Sequence, residues 1–204
     1  MNRRFLRSPY AVVVLIALVV ALMPLVLPSL YYMRVAALVL IFALAVVGLN
    51  LLMGFAGQVS LGHAGFFGIG AYAVAIGPTH LGIPSWASLV LGAAAAGLMA
   101  FIVGRPILRL RGHYLAVATL GLGLLIALVF TNEAAWTGGP DGMPVQRLVL
   151  FGWRAYGPHT WSWIAGVTLA IGTWIAVNLT ASPTGRALRA IHDSETAASV
   201  LGVD

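Results

Sequence analysis

Four long stretches of this chain contain no Asp, Glu, Lys or Arg: residues 8–33, 35–104, 112–132 and 155–185. A helix needs roughly 20 predominantly apolar residues to cross the hydrocarbon core of a bilayer. The four stretches therefore suit one, three, one and one crossings, respectively. A soluble fold would have to bury each run without a solvated face, and it would carry about a quarter charged residues where this chain has 8%. The sequence predicts an all-α, polytopic membrane protein with about six transmembrane helices.

The positions of the arginines predict how these helices are oriented. If the N-terminus is cytoplasmic, eight arginines fall on the cytoplasmic side and only Arg34, Arg147 and Arg154 on the other. This distribution agrees with the positive-inside rule. The net charge of +6 then reflects topology rather than nucleic-acid binding, because no basic cluster with interleaved aromatic residues is present. The predicted helices lie near residues 10–30, 34–53, 64–79, 86–104, 113–131 and 161–180.

Residues 48–72, inside the longest uncharged stretch, combine seven glycines with several polar side chains. Irregular backbone at membrane depth is tolerated only where protein buries it or a cavity hydrates it. Residues 55–63 are therefore either a connection at the cytoplasmic edge or a re-entrant break that lines a transport path. Gly62, Gly65 and Gly68 recur every third residue, which favours close helix packing. Structural hydrogen bonding and path lining are both open for the polar residues, which are Asn50, Gln58, Ser60 and His63.

Residues 181–204 form the most charge-dense polar segment next to a predicted span. Pro183 interrupts the sixth span, and a helix can start at Arg186. Arg189 and Asp193 lie four residues apart, which is the spacing of a weak ion pair on a helix surface. A short amphipathic element of this kind predicts a partner that docks on it.

Two arrangements of this segment are open. In one, Asp193 or Ser194 caps a second short helix that begins at Glu195. In the other, one regular helix carries a single apolar stripe, formed by Leu188, Ile191, Ala198 and Leu201. Both arrangements present a small apolar face ringed by charge.

The residue inventory disfavours several classes of function. A phosphate-binding loop needs a Gly-rich turn followed by Lys, and the chain contains no Lys, so it does not bind ATP in that way. The five histidines show no close metal-ligand spacing, and the absence of Cys excludes thiolate sites, so no metal is predicted. With only five acidic residues, no paired-carboxylate enzyme site is indicated. A secondary transporter would usually place an ionisable coupling residue within a span. The uncharged stretches disfavour proton coupling through Asp or Glu, although His63 could serve in that role.

Three motifs, in order along the chain, carry a family resemblance. Residues 48–72 (GLNLLMGFAGQVSLGHAGFFGIGAY) resemble the signature of branched-chain amino-acid ABC importer permeases, the LivH/LivM group. Residues 111–123 (RGHYLAVATLGLG), followed by TGGPDG at 137–142, resemble the M-type subunit (LivM), as do residues 185–203 (GRALRAIHDSETAASVLGV). One departure is that residues 124–127 (LLIA) lack the Glu and Arg that many M-type subunits place there.

The resemblance implies a permease subunit in the bacterial inner membrane, part of an ATP-driven importer for branched-chain or related neutral amino acids. Its partners would be a second, H-type permease subunit, two cytoplasmic ABC ATPases and a periplasmic solute-binding protein. ATP would be used by the partner ATPases, and this chain is expected to bind no cofactor and no nucleic acid. Permeases for urea and short amides belong to the same wider group and remain an alternative.

The resemblance also implies that residues 181–204 are a cytoplasmic coupling loop, in which 195–202 (ETAASVLG) resemble the E-A-A…G element that engages the ATPases. Closure of the ATPases would push residues 186–202 and rock the spans between outward and inward access. In the family further spans follow this loop, so residues 1–204 are expected to be a single, incomplete permease membrane domain. The small side chains would allow close approach and the glycine a sharp turn. The predicted coupling residues are Arg186, Arg189, Asp193, Glu195, Ala197, Ala198 and Gly202.

Overall fold

A computed structural model describes residues 10–110, 112–150, 152–200 and 202. Within them, six long helices lie within four residues of the predicted spans, which confirms the all-α polytopic fold. In chain order the elements are α1 (Ala11–Val26), α2 (Leu30–Asn50), a π-helix (Leu51–Phe55), α3 (His63–His80), α4 (Ser85–Ile107), α5 (His113–Asn132), α6 (Ala134–Thr137), a 3₁₀ helix (Gly139–Asp141), β1 (Val149–Leu150), β2 (Trp153–Arg154), α7 (Gly157–Ala181), α8 (Pro183–Asp193) and α9 (Glu195–Val200).

Four of the described helices are long and apolar enough to cross a membrane: Leu30–Phe55, Ser85–Ile107, His113–Asn132 and Gly157–Ala181. The helix α1 is also apolar but has 16 residues, and it ends two residues before Pro28. Large apolar side chains on these helices are exposed, and they need lipid or protein rather than water around them. The chain is thus a multi-pass membrane protein. Examples of such side chains are Leu38, Phe101, Leu125 and Ile175.

The described residues divide into two compact units, one formed by residues 10–57 and 156–202 and the other by Gln58–Ala155. In the first unit, α7 packs along both α1 and α2. A Cβ atom on Gly166 would collide with the side chain of Val20, so a small residue is needed where α7 meets α1. The buried core of this unit is formed by Val20, Leu40, Ala165 and Leu169.

In the second unit, α3 packs on α4 through small residues. Gly77 on α3 faces the buried Ser88 on α4 with no room for a side chain, and a Cβ atom on Gly92 would lie 2.7 Å from that of Ala73. These close approaches replace the interlocking of large side chains that soluble cores use.

The segment between α5 and α7 contains a feature that the sequence did not predict. The strands β1 and β2 form a two-stranded antiparallel hairpin in which Val149 pairs with Arg154. The hydroxyl of Ser85, at the start of α4, donates to the Arg147 carbonyl oxygen at 3.2 Å. The hairpin is thereby fixed to the helices of its own unit.

Candidate functional site

The helix α2 does not stop at Asn50 but continues as one π-helical turn, Leu51–Phe55. The side chain of Asn50 lies over this turn, and a Cβ atom on Gly54 would be 2.5 Å from Asn50 Oδ1. Glycine at this position therefore gives room for the asparagine. Single π-helical turns are uncommon and are frequently found at functional sites. Sequence periodicity does not reveal such a turn, although Gly54 was visible as a small residue in the motif.

The other three polar residues of the motif belong to the second unit. Gln58 is half-buried, Ser60 is 8% exposed, and His63 is the half-buried first residue of α3. The backbone N–H of Leu61 donates to Thr119 Oγ1 at 3.1 Å. The structure thus brings these three residues together on one irregular segment held to α5, whereas Asn50 lies in the first unit.

The face of α3 that carries Gly62, Gly65 and Gly68 packs against α5, as the spacing of three predicted. A Cβ atom on Gly62 would collide with the Thr119 carbonyl oxygen, and one on Gly65 would lie 2.9 Å from Ile126 Cδ1. The packing interpretation of these glycines is therefore confirmed. Residues that are more than 50 positions apart in the sequence meet here on adjacent helices.

A groove of about 290 Å³ runs between α3 and α5. It starts at Leu61, beside the polar segment, and contains no charged side chain among its described lining residues. Leu124, in the uncharged stretch 124–127, contributes to its wall. The groove therefore suits an apolar group rather than an ion.

A tight corner joins α7 to α8. Ser182 is the N-cap of α8, and its Oγ accepts a hydrogen bond from the Gly185 N–H at 3.4 Å. Pro183 occupies the first helical position, where its missing N–H costs nothing. The helix thus begins three residues before the expected start at Arg186. A Cβ atom on Gly185 would be 2.5 Å from the Leu179 carbonyl oxygen, so the corner requires glycine.

The tail is two helices rather than one regular helix. The helix α8 ends at Asp193, and Ser194 caps α9 by accepting a hydrogen bond from the Ala197 N–H at 3.2 Å. The single regular helix that would carry the apolar stripe is therefore wrong, because Ser194 interrupts it between Ile191 and Ala198. The fourth residue of that stripe, Leu201, lies outside the described residues. Gly202 follows α9 with a φ of 81°, the left-handed conformation that the expected sharp turn needs.

The predicted coupling residues do not share one face. Asp193 and Ala197 are exposed, as is Arg186. Ala198 is only 2% exposed, so its side chain is already covered in this structure. Glu195 is the first residue of α9.

Arg189 is exposed but contacts the end of α7 and the π-helix, contrary to the expected surface pair with Asp193. Its Nη2 donates to the Thr180 carbonyl oxygen at the end of α7. Its guanidinium carbon lies 5.7 Å from the centroid of the Phe55 ring in the π-helix. The unsatisfied carbonyl groups at a helix C-terminus attract a cation, which explains why this bond forms in preference to an exposed ion pair.

No group of three or more His, Asp or Glu side chains that could hold a metal ion occurs among the residues that the structure describes. The described part of the chain therefore gives no candidate metal centre.

The family described as "Branched-chain amino acid transport system / permease component" matches residues 31–204. The high-affinity branched-chain amino acid transport system permease protein LivM of Escherichia coli (strain K12) is 32% identical over 193 residues, covering 83% of this chain and 45% of that protein. The protein of the same name from Salmonella typhimurium is 31% identical with the same coverage. The chain thus spans about half the length of these relatives. No solved structure matches it.

Proposed function

Because the chain belongs to the family of branched-chain amino acid transport permeases, we propose that it is a permease subunit of an ATP-driven ABC importer for branched-chain or related neutral amino acids. The named relatives are transport permeases, not enzymes. ATP hydrolysis is therefore assigned to two cytoplasmic ATPase partners. A second, H-type permease subunit and a periplasmic solute-binding protein complete the proposed assembly, in a bacterial inner membrane.

The observation that carries the proposal is the form of the tail. A six-residue helix is capped at Ser194 and followed by a left-handed glycine at 202, where the sequence resembles the E-A-A…G element. A capped, separate short helix is a compact unit that a groove on another protein can accept. Ala197 on this helix is exposed, and its small side chain would let another protein approach closely.

The proposed solute path follows the α3 side of the second unit. Gln58, Ser60 and His63 supply hydrogen-bonding groups, and the groove that starts at Leu61 supplies an uncharged apolar wall. This combination suits a neutral zwitterion with a hydrocarbon side chain better than it suits an ion. Asn50 is proposed as a path residue of the first unit on its sequence context alone.

The test uses the protein at the full length its gene encodes, assembled with its partners in proteoliposomes that enclose ATP. We expect ATP-dependent leucine uptake that excess urea does not inhibit. Gly202→Ala and Glu195→Gln should leave membrane insertion intact but lower uptake per ATP hydrolysed, because they alter the proposed docking helix. The matched control is Gly82→Ala, since Gly82 also has a positive φ, 64°, and a Cβ atom there would meet nothing within 4 Å.

Three results would contradict the proposal. One is leucine uptake by the chain without ATP or ATPases, which would indicate a secondary transporter. Another is normal uptake in both tail variants. The third is uptake of urea in preference to leucine, which would assign the chain to the amide branch of the wider group.

A further inference from the structure

The helix α8 contacts the π-helix that continues α2, within the first unit. The contacts involve Arg189 and His192 on α8, Phe55 in the π-helix, and Gly57 just after it. The proposed ATPase-docking segment is thus tied directly to the π-helical turn.

Arg189 joins three elements at once. Its guanidinium group donates to the Thr180 carbonyl oxygen of α7 and lies over the Phe55 ring of the π-helix. Arginine suits this arrangement because its planar group can stack on a ring while its N–H groups point elsewhere. A lysine ammonium would keep the charge but not the stacked plane.

His192 provides the second attachment, one helical turn beyond Arg189. A Cβ atom on Gly57 would lie 3.2 Å from His192 Cγ and 3.4 Å from His192 Cα. Gly57 also has a φ of 67°, a conformation that other residues adopt only with strain. Glycine at 57 therefore serves both the turn and the close approach of α8.

We propose that Arg189 and His192 are positioning residues that hold α8 to the end of α2, so that α8 and residues 55–57 move as one body during transport. This proposal rests on the proposed function, in which ATPases push α8 and α9. The polar segment of the path begins at the next residue, Gln58. A displacement of α8 would therefore also displace the start of that segment, because Gly57 is joined directly to Gln58.

The first test compares variants with matched controls in the complete transporter. Arg189→Gln and Phe55→Leu should each lower leucine uptake per ATP hydrolysed about fivefold, the scale set by loss of one cation–π contact. Their double variant should show no loss beyond that of Arg189→Gln, because Phe55→Leu removes only the ring contact that Arg189→Gln has already removed. The control is Arg105→Gln: Arg105 lies 5.3 Å from the Phe101 ring centroid in α4, so the same kind of contact is removed away from α8.

The second test replaces the attachment by a covalent bond. The chain contains no Cys, so Gly57→Cys with His192→Cys introduces the only pair, and a Cβ atom at position 57 would lie 3.4 Å from the Cα atom of residue 192. Under reducing conditions this variant should show the same lowered uptake per ATP as Arg189→Gln. Oxidation should restore it, also when Arg189→Gln is present, and reductant should reverse the restoration.

Two results would overturn the proposal: an uptake ratio in Arg189→Gln equal to that of the control, or an oxidised cysteine pair that stops uptake. The last would show that α8 separates from α2 during transport. These results are distinguishable from failure of the proposed function, which would appear in the unmodified transporter as uptake that does not depend on ATP.

Discussion

Gly62 and Gly123 face each other between α3 and α5, and a Cβ atom on Gly123 would lie 3.0 Å from the Gly62 Cα atom. At this distance the backbones themselves are in contact. Such approaches allow helices to associate by van der Waals packing where lipid offers no hydrophobic driving force. The contact also fixes the segment that carries Ser60 and His63, since Gly62 is the N-cap of α3.

Gly62→Ala should therefore destabilise the protein. The new methyl group would collide with the Thr119 carbonyl oxygen, which is backbone and cannot move aside as a side chain does. We expect the free energy of unfolding in detergent to fall by about 1–3 kcal/mol, the usual effect of overpacking. Gly121→Ala on α5 is the control, because a Cβ atom there meets nothing within 4 Å. Equal stability of the two variants would show that α3 and α5 are farther apart.

Ser194→Ala should loosen α9 while leaving α8 formed. It removes the oxygen that accepts the Ala197 N–H bond, and loss of an N-cap costs about 1 kcal/mol. Hydrogen exchange of the Ala197 amide should become about fivefold faster, and the ATPases should bind more weakly. Ser194→Asp keeps an acceptor and should restore both properties. If exchange at Ala197 is unchanged in Ser194→Ala, the two-helix form of the tail is incorrect.

The six long helices could be predicted because a helix that crosses a bilayer needs roughly 20 predominantly apolar residues, and such runs can be counted along the sequence. The uncharged stretches were predicted to span the bilayer, and the predicted helix ends agree with the observed ones to within four residues. The glycine spacing in residues 62–68 was equally readable, since a repeat of three places small side chains on one helix face.

The features that escaped prediction depend on contacts between distant segments. The sequence near Arg189 does not distinguish an ion pair with Asp193 from a hydrogen bond to the Thr180 carbonyl oxygen, because both groups lie within reach of the long arginine side chain. The π-helical turn inserts one residue into an otherwise regular pattern, which periodicity does not resolve. Ala198 was predicted to be available for docking because the sequence does not indicate whether a small residue is buried or exposed.

Gln58→Leu should weaken solute binding if the polar segment lines the path. Loss of one hydrogen bond to the solute should raise the apparent KM for leucine about tenfold, with little change in basal ATP hydrolysis. The neighbouring Val59→Ala is the control, since Val59 is an exposed apolar residue on the same segment. An unchanged KM in Gln58→Leu would favour the alternative, a connection at the cytoplasmic edge with no contact to solute.

The predicted orientation can be tested with single cysteines, because the chain contains none. Arg109 and Arg154 are both exposed and lie outside the long helices, but the positive-inside rule puts them on opposite sides of the membrane. In intact cells whose outer membrane is permeable to the reagent, a membrane-impermeant maleimide should label Arg154→Cys but not Arg109→Cys. After the inner membrane is permeabilised, it should label both. Leu98→Cys, on an exposed position inside α4, should resist the polar reagent throughout. The reverse pattern would put α8 and α9 on the outer side, where no ATPase could reach them.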